Sequence, residues 1–153
     1  MKKKDLLNVW SSIRDGKFNK MSGEAKIKFV KLLAKLSPVV KAYEEYQKTI
    51  VEKLKEEYPD FDSRLEKARA YEEYMANKSD KQPEITEAEY KDIVKDVQSF
   101  NKAVTDALNE EAEKDVDVTF DKLTSTEYGC FIDSNDFTGQ QALDLMEIIA
   151  EGV

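Results

Sequence analysis

Hydrophobic positions recur every three or four residues along most of the chain, the period of a helix with one buried face. Over residues 4–14, Leu6, Val9, Trp10 and Ile13 share one side, and Asp15-Gly16 ends the pattern. Phe18 and Met21 in the connection are expected to plug into the core. Ser22 is placed to cap the next helix, with Glu24 in a first turn where the helix dipole favours an anion. From residue 23 to about 58, Phe29, Leu33, Leu36, Val40, Tyr43, Ile50 and Leu54 form a long stripe, flanked by Leu32, Val39 and Tyr46. An apolar face this wide is expected to be covered on more than one side. Pro38 falls inside it. Lacking a backbone donor, it either kinks a single helix or opens a second one capped by Ser37.

Pro59 closes that element. A third helix is predicted to open at Asp62-Ser63, where Ser63 and Glu66 have capping-box spacing, and it carries Leu65, Ala68, Tyr71, Tyr74 and Met75. Residues 77–83 are polar and read as a loop. Thr86 and Glu89 form the next capping box, and Tyr90, Ile93, Val97, Phe100, Val104 and Leu108 mark a long helix to about residue 111. At Asp115 the period changes from helical to two. Val116, Val118 and Phe120 alternate with Asp117, Thr119 and Asp121, the pattern of a strand with one buried face. Thr124 with Glu127 predicts a short helical turn, Cys130-Phe131-Ile132 a second short strand, and Thr138 with Gln141 the cap of a last helix. That helix carries Ala142, Leu145, Met146, Ile148 and Ile149. Ala42-Tyr43-Glu44-Glu45-Tyr46 recurs as Ala70-Tyr71-Glu72-Glu73-Tyr74, but the flanks differ and a solenoid needs about three repeats or more.

These elements predict a mainly α protein. The expected fold is an antiparallel helical bundle built on two long helices, 23–58 and 86–111, with a small β element near residues 116–132. One helical domain over 1–153 is expected, with an α+β subregion at 115–153. Replacing Leu33 or Phe100 by alanine is expected to cost about 2–5 kcal/mol if either is buried in the bundle core.

Composition narrows the chemistry. The chain has 153 residues, 37% of them charged against a typical value of about 25%, no histidine and a single cysteine. A disulfide framework, a structural zinc site and a Ser-His or Cys-His catalytic pair all need residues that are missing. No apolar run approaches the roughly 18 residues of a membrane span. Met1-Lys2-Lys3-Lys4-Asp5 has the charge of a signal-peptide start, but no apolar segment follows, so secretion by that route is not expected. The net charge of −8 is unevenly spread: residues 1–55 hold 14 basic and 6 acidic side chains, residues 56–153 hold 10 and 26. Basic and acidic helices packed side by side account for such a split as readily as a ligand does.

Several constellations invite a functional reading, and each has a plainer one. The pairs Glu44-Glu45, Glu56-Glu57, Glu72-Glu73 and Glu110-Glu111 do not share a helix face and read as solvated. The run Asp133-Ser134-Asn135-Asp136-Phe137-Thr138-Gly139 fails the calcium-loop pattern at its fifth, sixth and twelfth positions and reads as a turn and a cap. Cys130, beside Phe131 and Ile132, reads as a small buried hydrophobe. Lys28, Lys31 and Lys35 share one helical face that can meet a partner. Arginine, the better phosphate and base reader, is nearly absent there, so nucleic acid is not the expected partner. Glu110, Glu111, Glu113 and Asp117, with Asp115 and Asp121, form an acidic stretch. It can imitate a phosphate backbone, or simply keep a helix end and a strand edge soluble. No cofactor, metal ion or small-molecule substrate is expected.

The ordering of segments adds one more pointer. It runs from a leucine-rich opening, Leu6-Leu7-Asn8-Val9-Trp10, through a basic turn, Gly16-Lys17-Phe18, to a lysine- and leucine-rich helix, Lys28-Phe29-Val30-Lys31-Leu32-Leu33. A long charged middle, Val116-Asp117-Val118-Thr119-Phe120 and an apolar last helix follow. Over most of the chain this arrangement resembles the small proteins encoded among the structural genes of tailed bacteriophages. The resemblance implies a virion or assembly role, in the cytoplasm of a bacterial host or in the particle. It rests on no diagnostic motif and assigns no functional residue. The expected function is binding without catalysis, through protein partners or self-association. The alternative is an acidic inhibitor that occupies the basic groove of a host nucleic-acid enzyme or defence protein.

Overall fold

A computed structural model describes residues 1–152. Among them are six helices: α1 (Lys3–Ile13), α2 (Gly23–Lys55), α3 (Phe61–Met75), α4 (Glu87–Ala112), α5 (Ser125–Asp133) and α6 (Gly139–Ile149). They belong to two compact units, one of residues 1–44 with the segment from Glu111 onward, the other of residues 45–110.

The first unit is built on the inner faces of α1 and α2. Leu6, Val9 and Ile13 of α1 and Ala25, Phe29, Leu32 and Leu36 of α2 are buried, as their spacing requires. They share a cluster with Tyr128 and Phe131 of α5 and Leu145 and Ile149 of α6. Phe29 and Phe131 are fully buried, with ring centres 4.8 Å apart, and Phe18 and Phe137 pack on them at 5.8 and 5.5 Å. Offset aromatic contacts of this kind add about 0.5–1.5 kcal/mol each beyond the area they bury. α2 stays helical through Pro38, so the proline does not divide it.

The β element expected near residues 116–132 is not formed. Val116, Val118 and Phe120 do turn toward the core while Asp117, Thr119 and Asp121 face water, so the period of two reports burial correctly. A ladder needs a second extended chain alongside, and here the neighbours are helices. The segment makes only single bridges at its ends, Lys2 to Asp115 and Leu123 to Ala150, and the described residues contain no sheet. Leu123 is held by bonds from its own amide to the Ile149 carbonyl (2.7 Å) and from the Glu151 amide to its carbonyl (2.8 Å). Cys130-Phe131-Ile132, expected as a strand, lies within α5. The Thr124–Glu127 capping box nucleates that helix and sets Tyr128 and Phe131 on its buried side.

The second unit pairs α3 with α4. Phe61 packs on Phe100 (4.5 Å), Arg64 meets Asp96 (2.8 Å), and Tyr71 stacks on Tyr90 (4.6 Å). Rising positions of α3 meet falling positions of α4, so the two run antiparallel. Tyr58 joins the Phe61–Phe100 pair at 6.1 and 6.0 Å, and Ala68 and Ile93 are buried beneath. Leu33 and Phe100, expected in one core, therefore sit in separate clusters. α3 starts at Phe61 after a left-handed Asp60, so the Ser63–Glu66 spacing falls inside the helix rather than at its cap.

Candidate functional site

The inner row of α2 fixes which of its residues face outward. Opposite Ala25, Phe29, Leu32 and Leu36 lie Ile27, Val30, Lys31, Ala34 and Pro38, all exposed. Ile27 is 60% and Val30 53% exposed, a large aliphatic pair left in water at the middle of a lysine-rich helix. Beside them, Lys28, Lys31 and Lys35 line a groove of about 610 Å³ whose other wall is Thr119, Phe120 and Asp121. The structure thus gathers the three lysines, but does not leave them equivalent. Lys28 Nζ donates to Glu127 at 2.8 Å and to the Lys122 carbonyl at 3.2 Å. The Glu127 carboxylate holds the Lys28 ammonium above its ordinary range. The Lys28 hydrogen bond, followed by the Thr124 backbone amide, holds Glu127 below its own. Lys31 and Lys35 are exposed and make no ion pair among the described residues.

The acidic stretch is arranged differently. Lys3 bonds Glu111, Lys4 bonds Glu113 at 2.6 Å, and Lys2 bonds Asp115 at 3.2 Å. Backbone bonds run alongside, from the Lys3 amide to the Lys114 carbonyl and from the Val116 amide to the Met1 carbonyl, both 3.0 Å. Hydrogen bonds from Lys114 and Lys3 hold the half-buried Glu111 carboxyl below the usual carboxylate range. The cations of the opening segment are thus matched to alternate acids. Glu110 and Asp117 stand apart from this row, exposed.

Sequence reasoning missed a second surface. Tyr71, Tyr74 and Met75 read as core stripe, yet at the end of α3 Met75 is 61% and Tyr74 37% exposed. Tyr71, Met75 and Ala76 with Tyr90 of α4 line a hollow of about 430 Å³, with Glu72, Glu87 and Lys91 around it. Tyr90 Oη donates to Glu72 at 2.6 Å, and that bond, with burial, raises the phenol above its ordinary range. The available signal was the adjacent polar stretch 77–83, which offers nothing to cover the last turn of α3.

The Asp133–Gly139 run is used internally. The Asn135 side chain brackets Lys17, accepting from its amide (2.7 Å) and donating to its carbonyl (2.6 Å). Ser134 Oγ accepts from the Lys20 amide, and Thr138 caps α6 in a capping box with Gln141. Cys130 is half-buried against the core. Among the described residues no group of three or more Cys, Asp or Glu is placed to hold a metal ion, and no helix is long and apolar enough to cross a membrane. Comparison with family models, with characterised proteins and with solved structures finds no match to this chain.

Proposed function

We propose that this chain is a non-catalytic protein-binding module, a structural or assembly component, that receives a protein partner on the outer face of α2. The observation that carries this reading is the exposure of Ile27 and Val30 next to the unpaired Lys31 and Lys35. Fully burying an aliphatic side chain of this size is worth roughly 1.5–3 kcal/mol, so the pair supplies affinity once covered. The lysines supply orientation, because a partner with carboxylates beside its apolar contact finds them ready-made. Recognition is of the kind in which an amphipathic helix face meets an apolar surface. The segment order, which resembles that of small proteins encoded among tailed-phage structural genes, supports a virion or assembly setting within a bacterial host.

A photo-crosslinking side chain in place of Val30, compared with one at the exposed Thr105 on α4, tests this in the cells that make the protein. A discrete adduct of defined mass from position 30 and none from position 105 is expected. No adduct from position 30, or the same adducts from both, would overturn it.

A further inference from the structure

The two exposed apolar surfaces carry opposite charge. Residues 26–41 hold five lysines and no acid, whereas residues 72–92 hold seven acids and three lysines. On α2 the apolar pair is Ile27 and Val30, with the exposed Lys31 and Lys35 on the same outer side; on the α3–α4 patch the exposed Met75 lies with Tyr71 and Tyr90 along a hollow that Glu72 and Glu87 also line. The Tyr90 hydroxyl bonds Glu72 and Lys91 bonds Glu87 at 3.0 Å, so both carboxylates are oriented while their remaining lone pairs face solvent.

We propose that these surfaces recognise each other between copies: the outer face of α2 on one copy docks on the tyrosine–methionine patch of α3 and α4 on a second. This deepens the reading above, on which it rests, by naming the partner. Ile27 and Val30 cover Met75 and the Tyr71–Tyr90 pair, and Lys31 and Lys35 approach Glu72 and Glu87 and the tyrosine rings. An unrelated partner would have to be acidic and apolar to fit α2, or basic and apolar to fit the α3–α4 patch. A second copy of this chain meets both demands. The contact joins unlike surfaces, so a dimer made through one contact keeps one free α2 face on one copy and one free α3–α4 patch on the other, and further copies add as concentration rises. Charge steers the encounter, so association weakens as salt is added.

Charge exchange tests it, with light-scattering mass read across a dilution series and circular dichroism verifying the fold. Wild type is expected to gain mass with concentration and lose it with salt. K31E/K35E alone and E72K/E87K alone are expected to stay monomeric. An equimolar mixture of the two is expected to regain mass, because each variant then presents what the other lacks. The chain carrying all four changes is expected to associate with itself again. A wild type that stays monomeric at every concentration overturns the inference, and so does association that survives either exchange or fails to return in the mixture. If wild type is monomeric while Val30 still crosslinks to a different protein, only the choice of partner fails. If no adduct forms at all, the binding role of α2 fails with it.

Discussion

A methyl group added at Gly16 would lie 2.9 Å from the Ile13 carbonyl oxygen and 3.0 Å from the Phe131 ring. The first of these neighbours is backbone and the second belongs to a fully buried side chain, so neither gives way cheaply. Gly16→Ala is therefore expected to destabilise the protein by about 1–3 kcal/mol. The effect will show as a lower urea midpoint with an unchanged slope. At Gly23, Gly129 and Gly139 the same methyl meets nothing within 4 Å, so alanine there lacks this penalty. Tyr128 shows the same crowding in its chemistry. Its hydroxyl donates to the Ala142 carbonyl, and burial pushes the phenol up to about 12.

At the scale of elements, caps and charge pairs decide where helices begin and what they hold. The Thr138 hydroxyl accepts from the Gln141 backbone amide and the Gln141 side-chain oxygen accepts from the Thr138 backbone amide, so Thr138→Ala is expected to cost about 0.5–2 kcal/mol in thermal unfolding. Lys28 ties α2 to the first turn of α5 through Glu127. Glu127 and Glu111 have lowered pKa values. The stability they contribute is thus complete above the ordinary carboxylate value of 4.5 and is lost as pH falls through their folded values. Lys28 is raised, so its share is complete below 10.5 and is lost as pH climbs through its folded value. Glu127→Gln keeps a capping oxygen but no titrating charge, and its melting temperature is expected to fall less than that of wild type between pH 5 and pH 3. The capping boxes at Thr86, Thr124 and Thr138 and the inner rows of α1 and α2 were legible because local bonds and helical period suffice to specify them. The alternation at residues 116–121 was legible as burial but not as structure, since a strand depends on a neighbour that no local pattern encodes. For the same reason the partner of α4 could not be read. The stripes of α2 and α3 both suit it, and only the fold assigns Phe61, Arg64 and Tyr71 opposite Phe100, Asp96 and Tyr90. Of the candidate surface, the shared face of Lys28, Lys31 and Lys35 was visible from spacing. The engagement of Lys28 with Glu127, 99 positions away, was not.

At the scale of the whole molecule, each unit has its own aromatic cluster among the described residues: Phe29 and Phe131 in the first, and Tyr58, Phe61 and Phe100 in the second. Phe131→Ala and Phe100→Ala are each expected to destabilise the protein by about 3–5 kcal/mol. Their combined effect in denaturant titration is expected to match the sum of the two within about 0.5 kcal/mol, because the two rings have different aromatic partners, Phe29 and Phe137 for one, Tyr58 and Phe61 for the other. A larger discrepancy would mean that the clusters are energetically one. The aromatic residues also divide between the units. The sole tryptophan, Trp10, packs against the first cluster, while five of the seven tyrosines, at positions 46, 58, 71, 74 and 90, fall in residues 45–110. Indole fluorescence therefore watches one half of the polypeptide and phenol absorbance chiefly the other, so the native chain carries two optical reporters for timing the assembly of each half without any added dye.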